Sequence, residues 1–323
     1  MHAALLKQYG DPVANVEFVD IPEPAPPGDG EALIEVEYAP INPADLLLAM
    51  GYYAVKPTLP SVIGNEGVGT ILATGARVTH VKVGDRVALP LSSFTWRERL
   101  VLPANGLFVL PRDADPRQLA MVSVNPVTAA LLLDGFAPLD AGDWIVQNAA
   151  NSGVGRSVIA LAREKGLRTV NVVRRPELVE QLRVAGADLV FVDGADVATR
   201  IRAVVGEQTV KLGLDGLSGP GTGTIADILS PGATLVTYGA MTYAPATVAP
   251  ADLIYKGLTV RGFFLGHPEH ANKFPTLIAQ AGSLIAAGRL VVPVAAVYPL
   301  TAVKQALAHA QRGGKVLLAP TAS

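Results

Sequence analysis

The chain has 323 residues, half of them hydrophobic and 17% charged, with a formal net charge of −2. That balance excludes a disordered chain and supplies no general field for nucleic acid or an anionic membrane, so any anion site must be local. The absence of cysteine excludes disulfides and thiolate zinc sites and fits a reducing, cytoplasmic setting.

The opening stretch MHAALLKQYG lacks the charged segment and long apolar run of a signal or transit peptide and reads as the first strand. Nowhere do 18 apolar residues run without interruption, so no membrane span is expected. Residues 1 to about 112 are β-rich. ALIEVEY alternates, with Ile34, Val36 and Tyr38 on one face and Glu35 and Glu37 on the other. GVGTILATG, GDRVALP and LVLPANGLFVLP are further short strands between Gly, Pro and Asp turns, and Pro43 opens a short helix, PADLLLAM.

From about Pro116 the rhythm changes. PRQLAMVSVNPVTAALLLDGF is helical with a break near Asn125–Pro126. Six strands follow: DWIVQNA, TVNVV, DLVFVDG, KLGLDGL, ATLVTYG and LTVRGFF, with helical stretches between most of them. These strands are nearly continuous apolar runs, as in a parallel sheet covered on both faces, and their order predicts a doubly wound α/β domain of the Rossmann type. The end of the chain predicts a long helix over EHANKFPTLIAQAGSLIAAG, then AAVYPL, the helix TAVKQALAHAQRGG and the strand KVLLAP. The last 35 residues or so are expected to complete the N-terminal β domain, giving a division into residues 1–115, 116–265 and 266–323.

Strand DWIVQNA runs into ANSGVG and then a helix. Gly153 and Gly155 allow close backbone approach, and a helix N-terminus offers free N–H groups and the positive end of a dipole, the requirements of a phosphate-binding loop. The loop departs from G-x-G-x-x-G, with Asn148 and Asn151 where glycine could stand, and a glycine turn without a ligand is the plainer alternative. Roughly 20 residues past such a turn, NAD-binding domains place an acid for the ribose 2′-hydroxyl. Here RTVNVVRRPE places Arg174 and Arg175 there, with no acid before Glu177. Guanidinium groups would hold a 2′-phosphate by charge-assisted hydrogen bonds, which predicts NADPH; the alternative is a solvated strand end.

No metal set is evident. Among five histidines, His267 and His270 stand three apart with no clustered acids and read as surface residues at a helix start. The stretch GYYAVKPTLPSVIGNEGVG resembles the medium-chain dehydrogenase/reductase superfamily. Its zinc-dependent alcohol dehydrogenases read G-H-E where this chain has Gly64-Asn65-Glu66, so hydride chemistry here needs another group to steady developing charge. INPADL, GYYAVKPTLP, IGNEGV, TWRERLV, VNPVTA, IVQNAANSGVG, RTVNVVR, VTYGAM, LTVRGFFL and GGKVLL together resemble the mitochondrial-type trans-2-enoyl-thioester reductases, in order and spacing, across most of the chain.

The resemblance implies a GroES-like catalytic domain beside the Rossmann domain. It implies a proton donor at the Tyr of G-x-Y, which falls on Tyr53 with Tyr52 adjacent. It places NADPH contacts on Asn125, on Asn151, Ser152, Gly153 and Val154, on Arg174 and Arg175, on Tyr238, Gly239, Ala240 and Met241, on Phe263, Phe264 and Leu265, and on Lys315. Phe264 stands where the family often has Trp, and Ala240 replaces a Gly; both fall at the nicotinamide and acyl region. A homodimer through edge strands of the cofactor sheets is implied too, with a CoA- or acyl-carrier-protein-linked substrate.

An α,β-unsaturated thioester that accepts hydride at Cβ passes negative charge to its carbonyl oxygen, and needs donors there and a proton at Cα. A phenol, neutral at pH 7, can give both, which suits Tyr53; a packed turn tyrosine is the alternative. Asn65 and Trp96 are candidate pocket residues, or else a turn cap and a packed ring. Two other functions remain open at this point: a quinone or generic enone oxidoreductase using the same hydride chemistry, and a non-catalytic NADPH-binding regulatory protein.

Overall fold

Short strands closed by turn residues fill the first third of the chain, and strand–helix repeats fill the middle. The computed structural model, which describes residues 1–322, shows them in chain order. Strand β1 (His2–Leu6) pairs antiparallel with β2 (Val16–Asp20) across the short helix α1 (Pro12–Asn15), and with β4 (Ser61–Val62). The long strand β3 (Glu31–Ile41) leads into α2 (Pro43–Met50), followed by β5 (Gly67–Thr74), β6 (Arg86–Leu89), β7 (Arg99–Pro103) and β8 (Phe108–Val109). Pro43, with no N–H to lose, starts α2, and Gly51 at φ 84° ends it in the left-handed conformation.

The region expected to be helical from Pro116 forms two helices, α3 (Pro116–Leu119) and α4 (Asn125–Gly135), separated by a turn that ends at Asn125. Then come β9 (Trp144–Gln147), α5 (Gly153–Glu164), β10 (Arg168–Val173), α6 (Leu178–Val184), β11 (Leu189–Val192), α7 (Val197–Val205), β12 (Val210–Asp215), α8 (Pro220–Ile228), β13 (Thr234–Thr237), α9 (Pro250–Tyr255) and β14 (Thr259–Gly262). All six strands are parallel, in the order β11-β10-β9-β12-β13-β14. Numbered within the domain this is 3-2-1-4-5-6, the doubly wound order predicted from the alternation. Val170 and Val172 pack with α7 and α8 residues such as Ile201 and Ile225, while Val173 packs with Ile159, Leu178 and Leu182 of α5 and α6. A strand buried on both faces has no polar side to show, hence the apolar runs.

The long helix expected over residues 269–288 is shorter. A 3₁₀ turn covers Pro268–Lys273, and α10 (Phe274–Ala286) starts with Pro275 in its first turn, where a proline's missing N–H costs nothing. Strand β15 (Val294–Pro299), α11 (Val303–Arg312) and β16 (Lys315–Ala319) end the described chain. Strand β16 adds antiparallel to β3, with Val316 opposite Ile41, in the order β15-β16-β3-β5-β6-β8, and β7 also pairs with β3. Trp96, Ile34, Ile71, Leu89, Leu307 and Leu318 belong to one core.

Two compact units result: Met1–Val127 together with the chain from Ala271 onward, and Thr128–His270. The boundaries differ from the expected 115/116 and 265/266. Residues 116–127 group with the β-rich unit because α3 packs on β3 and β5, and Gln118 exchanges hydrogen bonds of 2.9 Å with both the N–H and the carbonyl of Val292. No helix among the described residues is long and apolar enough to cross a membrane.

Candidate active site

In the doubly wound unit, candidate residues gather at the carboxyl ends of the parallel strands, where such sheets bind ligands. The turn from β9 to α5 is the tightest part. Ala149 holds φ 48°, and Ser152 caps α5, its hydroxyl accepting from Gly155 N–H at 3.0 Å. A Cβ on Gly155 would lie 2.6 Å from the carbonyl oxygen of Ala150, so only glycine fits. A Cβ on Gly239 would likewise meet the carbonyl oxygen of Gly216 at 2.6 Å. Asn151 is exposed, Ser152 and Val154 are half-buried, and Gly153 is buried. This is a tight glycine turn at the positive end of a 12-residue helix.

Two buried amides fix this loop: Gln147, which the sequence did not single out, and Asn148. Gln147 Nε2 donates to Gly155 O at 2.9 Å and to Asn171 Oδ1 at 2.8 Å, tying the first turn of α5 to β9 and β10. Asn148, placed where a glycine could stand, donates to Asp215 Oδ1 at 2.7 Å and accepts from Gly216 N–H at 2.8 Å. Periodicity gave no sign of them, since polar residues inside apolar strands carry no periodic signal; their cue is a buried amide with a partner on the neighbouring strand.

Arg174 and Arg175 follow directly from the end of β10 and are exposed. Arg175 lies 3.5 Å from Glu177, both well exposed, and Arg174 has no ion pair among the described residues. Tyr238 to Met241 follow β13. The Tyr238 hydroxyl is covered, close to Gly216, and burial pushes it up from the usual phenol range. Ala240 and Met241 are exposed. Phe263, Phe264 and Leu265 follow β14 and are half-buried. Phe263 stacks on His270 at 5.3 Å, and Phe264 meets His267 edge-on at 5.4 Å. His267, exposed as expected, precedes the 3₁₀ turn and His270, half-buried, lies within it, and both also pack on aromatic rings.

In the β-rich unit, Tyr53 packs against the core, while Tyr52 is 77% exposed. Burial, with Asp45 adding to it, pushes the Tyr53 phenol up to about 12, so it keeps its proton at neutral pH. Asn125 is buried, and its amide Nδ2 has no hydrogen-bond partner among the described residues. Lys315, which the register of β16 on β3 sets beside the end of β3, donates from Nζ to Asn42 Oδ1 at 2.6 Å. Asn42 Nδ2 donates in turn to Glu66 Oε1 at 2.8 Å, and Glu66 Oε2 accepts from Val124 N–H at 2.8 Å. Asp45 Oδ2 accepts from Asn42 N–H at 2.7 Å.

Burial pushes both acids up to about 7, against the pull of Lys315, and burial lowers the Lys315 ammonium. The fold therefore brings Tyr53, Lys315 and the residue before Asn125 to one cluster. Asn42, Asp45 and Glu66 were missed as site residues, although INPADL and IGNEGV contain them. Asn65 and Trp96 take their plainer readings. Asn65 Oδ1 accepts from Ser92 N–H at 3.0 Å in a turn, and Trp96 is fully buried with its indole toward Pro40 O at 3.4 Å. Among the described residues no group of three or more His, Asp or Glu side chains comes together as a metal site.

Residues 28–106 match the alcohol dehydrogenase GroES-like domain, and residues 153–283 match the zinc-binding dehydrogenase family. The mitochondrial enoyl-[acyl-carrier-protein] reductase of Mus musculus is 36% identical over 317 residues, covering 95% of this chain and 84% of its own. The solved complex of Etr1p with NADP and crotonyl-CoA superimposes with a TM-score of 0.88 at 24% identity, covering 98% of this chain and 99% of that one. A mycobacterial quinone oxidoreductase superimposes with a TM-score of 0.83 at 29% identity, covering 99% and 100%.

Proposed function

The chain belongs to the enoyl-[acyl-carrier-protein] reductase family within the medium-chain dehydrogenase/reductase superfamily, and on that premise we propose that it reduces the 2,3 double bond of trans-2-enoyl thioesters with NADPH. The observation that carries the reading is the 36% identity to the mouse reductase over 95% of the chain.

The residues present fit the cofactor. The cradle closed by Gly155 and Gly239 has no room for a Cβ, the strand-end arginines face solvent, and Asn125 keeps an unpartnered buried donor. When bound, NADPH supplies the hydride that adds to Cβ of the thioester. The 153–155 turn and α5 receive the diphosphate through main-chain N–H groups. Arg174 and Arg175 hold the 2′-phosphate, a group that the ribose-binding acid of an NAD site would repel. Tyr53 gives a hydrogen bond to the enolate oxygen or its proton to Cα; at about 12 its phenol still holds that proton at neutral pH when the substrate binds.

The reading extends to a homodimer joined along β14, which forms one edge of its sheet with all four residues exposed, beside the exposed Ile254 and Tyr255 of α9. Light scattering at micromolar concentration, repeated with Val260→Lys, tests that edge; a wild-type monomer removes the proposal.

The test of activity is NADPH oxidation with 2-enoyl-CoAs of increasing length, the same acyl groups on a carrier protein, and a quinone, each repeated with NADH. Turnover of the thioesters with NADPH, and far less with NADH, is the expected result. Turnover of the quinone alone would favour a quinone reductase, a reading supported by the 29% identity to the mycobacterial oxidoreductase. NADPH binding without turnover of any acceptor would mean a regulatory protein.

A further inference from the structure

Two acids and one base are buried together in the β-rich unit, and neither acid is among the residues assigned to hydride transfer or phosphate binding. Asp45 is 1% exposed and Glu66 is fully buried. Lys315 keeps some exposure as a residue, but its ammonium is drawn inward to Asn42, where its charge acts on both carboxyl groups. Two carboxylates beside one ammonium leave a net negative charge in a poorly solvated place, which is costly. One shared proton removes it, so near neutral pH one of the two acids is neutral.

The hydrogen bonds say which. Both Glu66 oxygens accept, from Asn42 and from Val124 N–H, as an ionised carboxylate does. Asp45 takes main-chain hydrogen bonds only, from Asn42 N–H at Oδ2 and from Asn65; its Oδ1 is buried and has no partner within hydrogen-bond distance among the described residues. Oδ1 is the place for a proton. The titratable groups that face Asp45 are Lys315 from β16, Glu66 from the β4–β5 connection, and Tyr53 just beyond α2.

We propose that Asp45 is a positioning residue for proton supply: as a neutral carboxylic acid it restores the proton that Tyr53 gives up in each turnover, with Glu66 and Lys315 holding it in that form. The inference rests on Tyr53 as the donor to the thioester. After the phenol O–H bond has broken toward substrate, a phenolate is left near the buried acid. The Asp45 O–H bond then breaks and a phenol O–H bond forms. With Tyr53 at about 12 and Asp45 at about 7, the transfer runs downhill. The carboxylate left on Asp45 takes its proton back from solvent.

Asp45 also has a plain structural use, as the third residue of α2 closing back on the Asn42 N–H. Asp45→Asn separates the two roles, because an amide oxygen still accepts that bond but carries no acidic proton. With crotonyl-CoA, the variant should oxidise one NADPH per site at the wild-type rate, then fall at least ~10-fold in steady state. Wild-type kcat should decline as pH rises through about 7, and the variant should lose that limb while its NADPH affinity is unchanged.

A variant with wild-type steady state and the same pH limb overturns the inference. So does a burst and steady state lowered together with the limb intact, which is what a weakened cap would give. If the wild-type protein reduces no enoyl thioester, the functional reading fails and this inference fails with it; if it does reduce one, infrared spectroscopy tests the Asp45 proton independently of the variant. A carbonyl band of a protonated carboxylic acid at pH 6.5, shifted by carbon-13 labelling of aspartate, supports it; absence of that band overturns it. The same measurement on wild-type protein serves if Asp45→Asn does not fold.

Discussion

Each unit buries an aspartate close to its candidate site, and the two are treated differently. Asp215 of the doubly wound unit is fully buried and accepts from Asn148 Nδ2 (2.7 Å), Leu217 N–H and Ser218 N–H (3.0 Å each), Thr222 Oγ1 (2.7 Å) and Thr237 Oγ1 (3.3 Å). Asp45 of the β-rich unit accepts from main chain alone and leaves one oxygen orphaned. A buried carboxylate that is saturated with donors is a clamp, here holding the loops after β9, β12 and β13 in place. A buried carboxyl short of donors stays close to its neutral form and can trade a proton near pH 7. The cations divide the same way. Arg174 and Arg175 stand in solvent, while Lys315 is committed to an internal network.

Substitutions on the two sides should therefore break different quantities. The largest effect is expected from Tyr53→Phe, which removes the phenolic proton and should cut kcat with crotonyl-CoA at least ~100-fold while leaving NADPH affinity intact; wild-type turnover would remove Tyr53 from its role. Gly155→Ala places a Cβ 2.6 Å from a carbonyl oxygen and should cost about 2–4 kcal/mol in denaturant unfolding, with loss of cofactor binding. Replacing both Arg174 and Arg175 with Ala should weaken NADPH binding by about 10-fold, or about 1.4 kcal/mol, and hardly alter NADH binding. The effect should shrink in high salt because both side chains are exposed. Equal losses for both cofactors in calorimetry would assign the arginines elsewhere.

A further effect concerns stability against pH. The folded state raises Asp45 from the ordinary carboxylate range to about 7, so between about pH 4 and 7 it retains a proton that the unfolded chain has lost. Its contribution therefore makes stability fall as pH rises across that window. Asp45→Asn should flatten that fall, which urea unfolding at pH 5 and pH 8 would read as a smaller difference than in wild type.

The sequence by itself determined the doubly wound domain, because alternating apolar strands and amphipathic helices carry their period locally, and β14 closes an order that the alternation alone implies. It also determined the glycine turn and the absence of an acid at the end of β10, since both lie within one strand–turn–helix unit. The cluster around Asp45 was beyond local pattern. Lys315 and Asn42 are 273 positions apart, Glu66 and Val124 are 58 apart, and only the register of β16 on β3 and the packing around Glu66 bring them within hydrogen-bond distance. The unit boundaries depended on tertiary contacts too, because α3 reads as a helix whichever unit it joins. Residue type says that a carboxyl group can ionise; whether it does depends on how much water and how many donors the folded chain leaves around it.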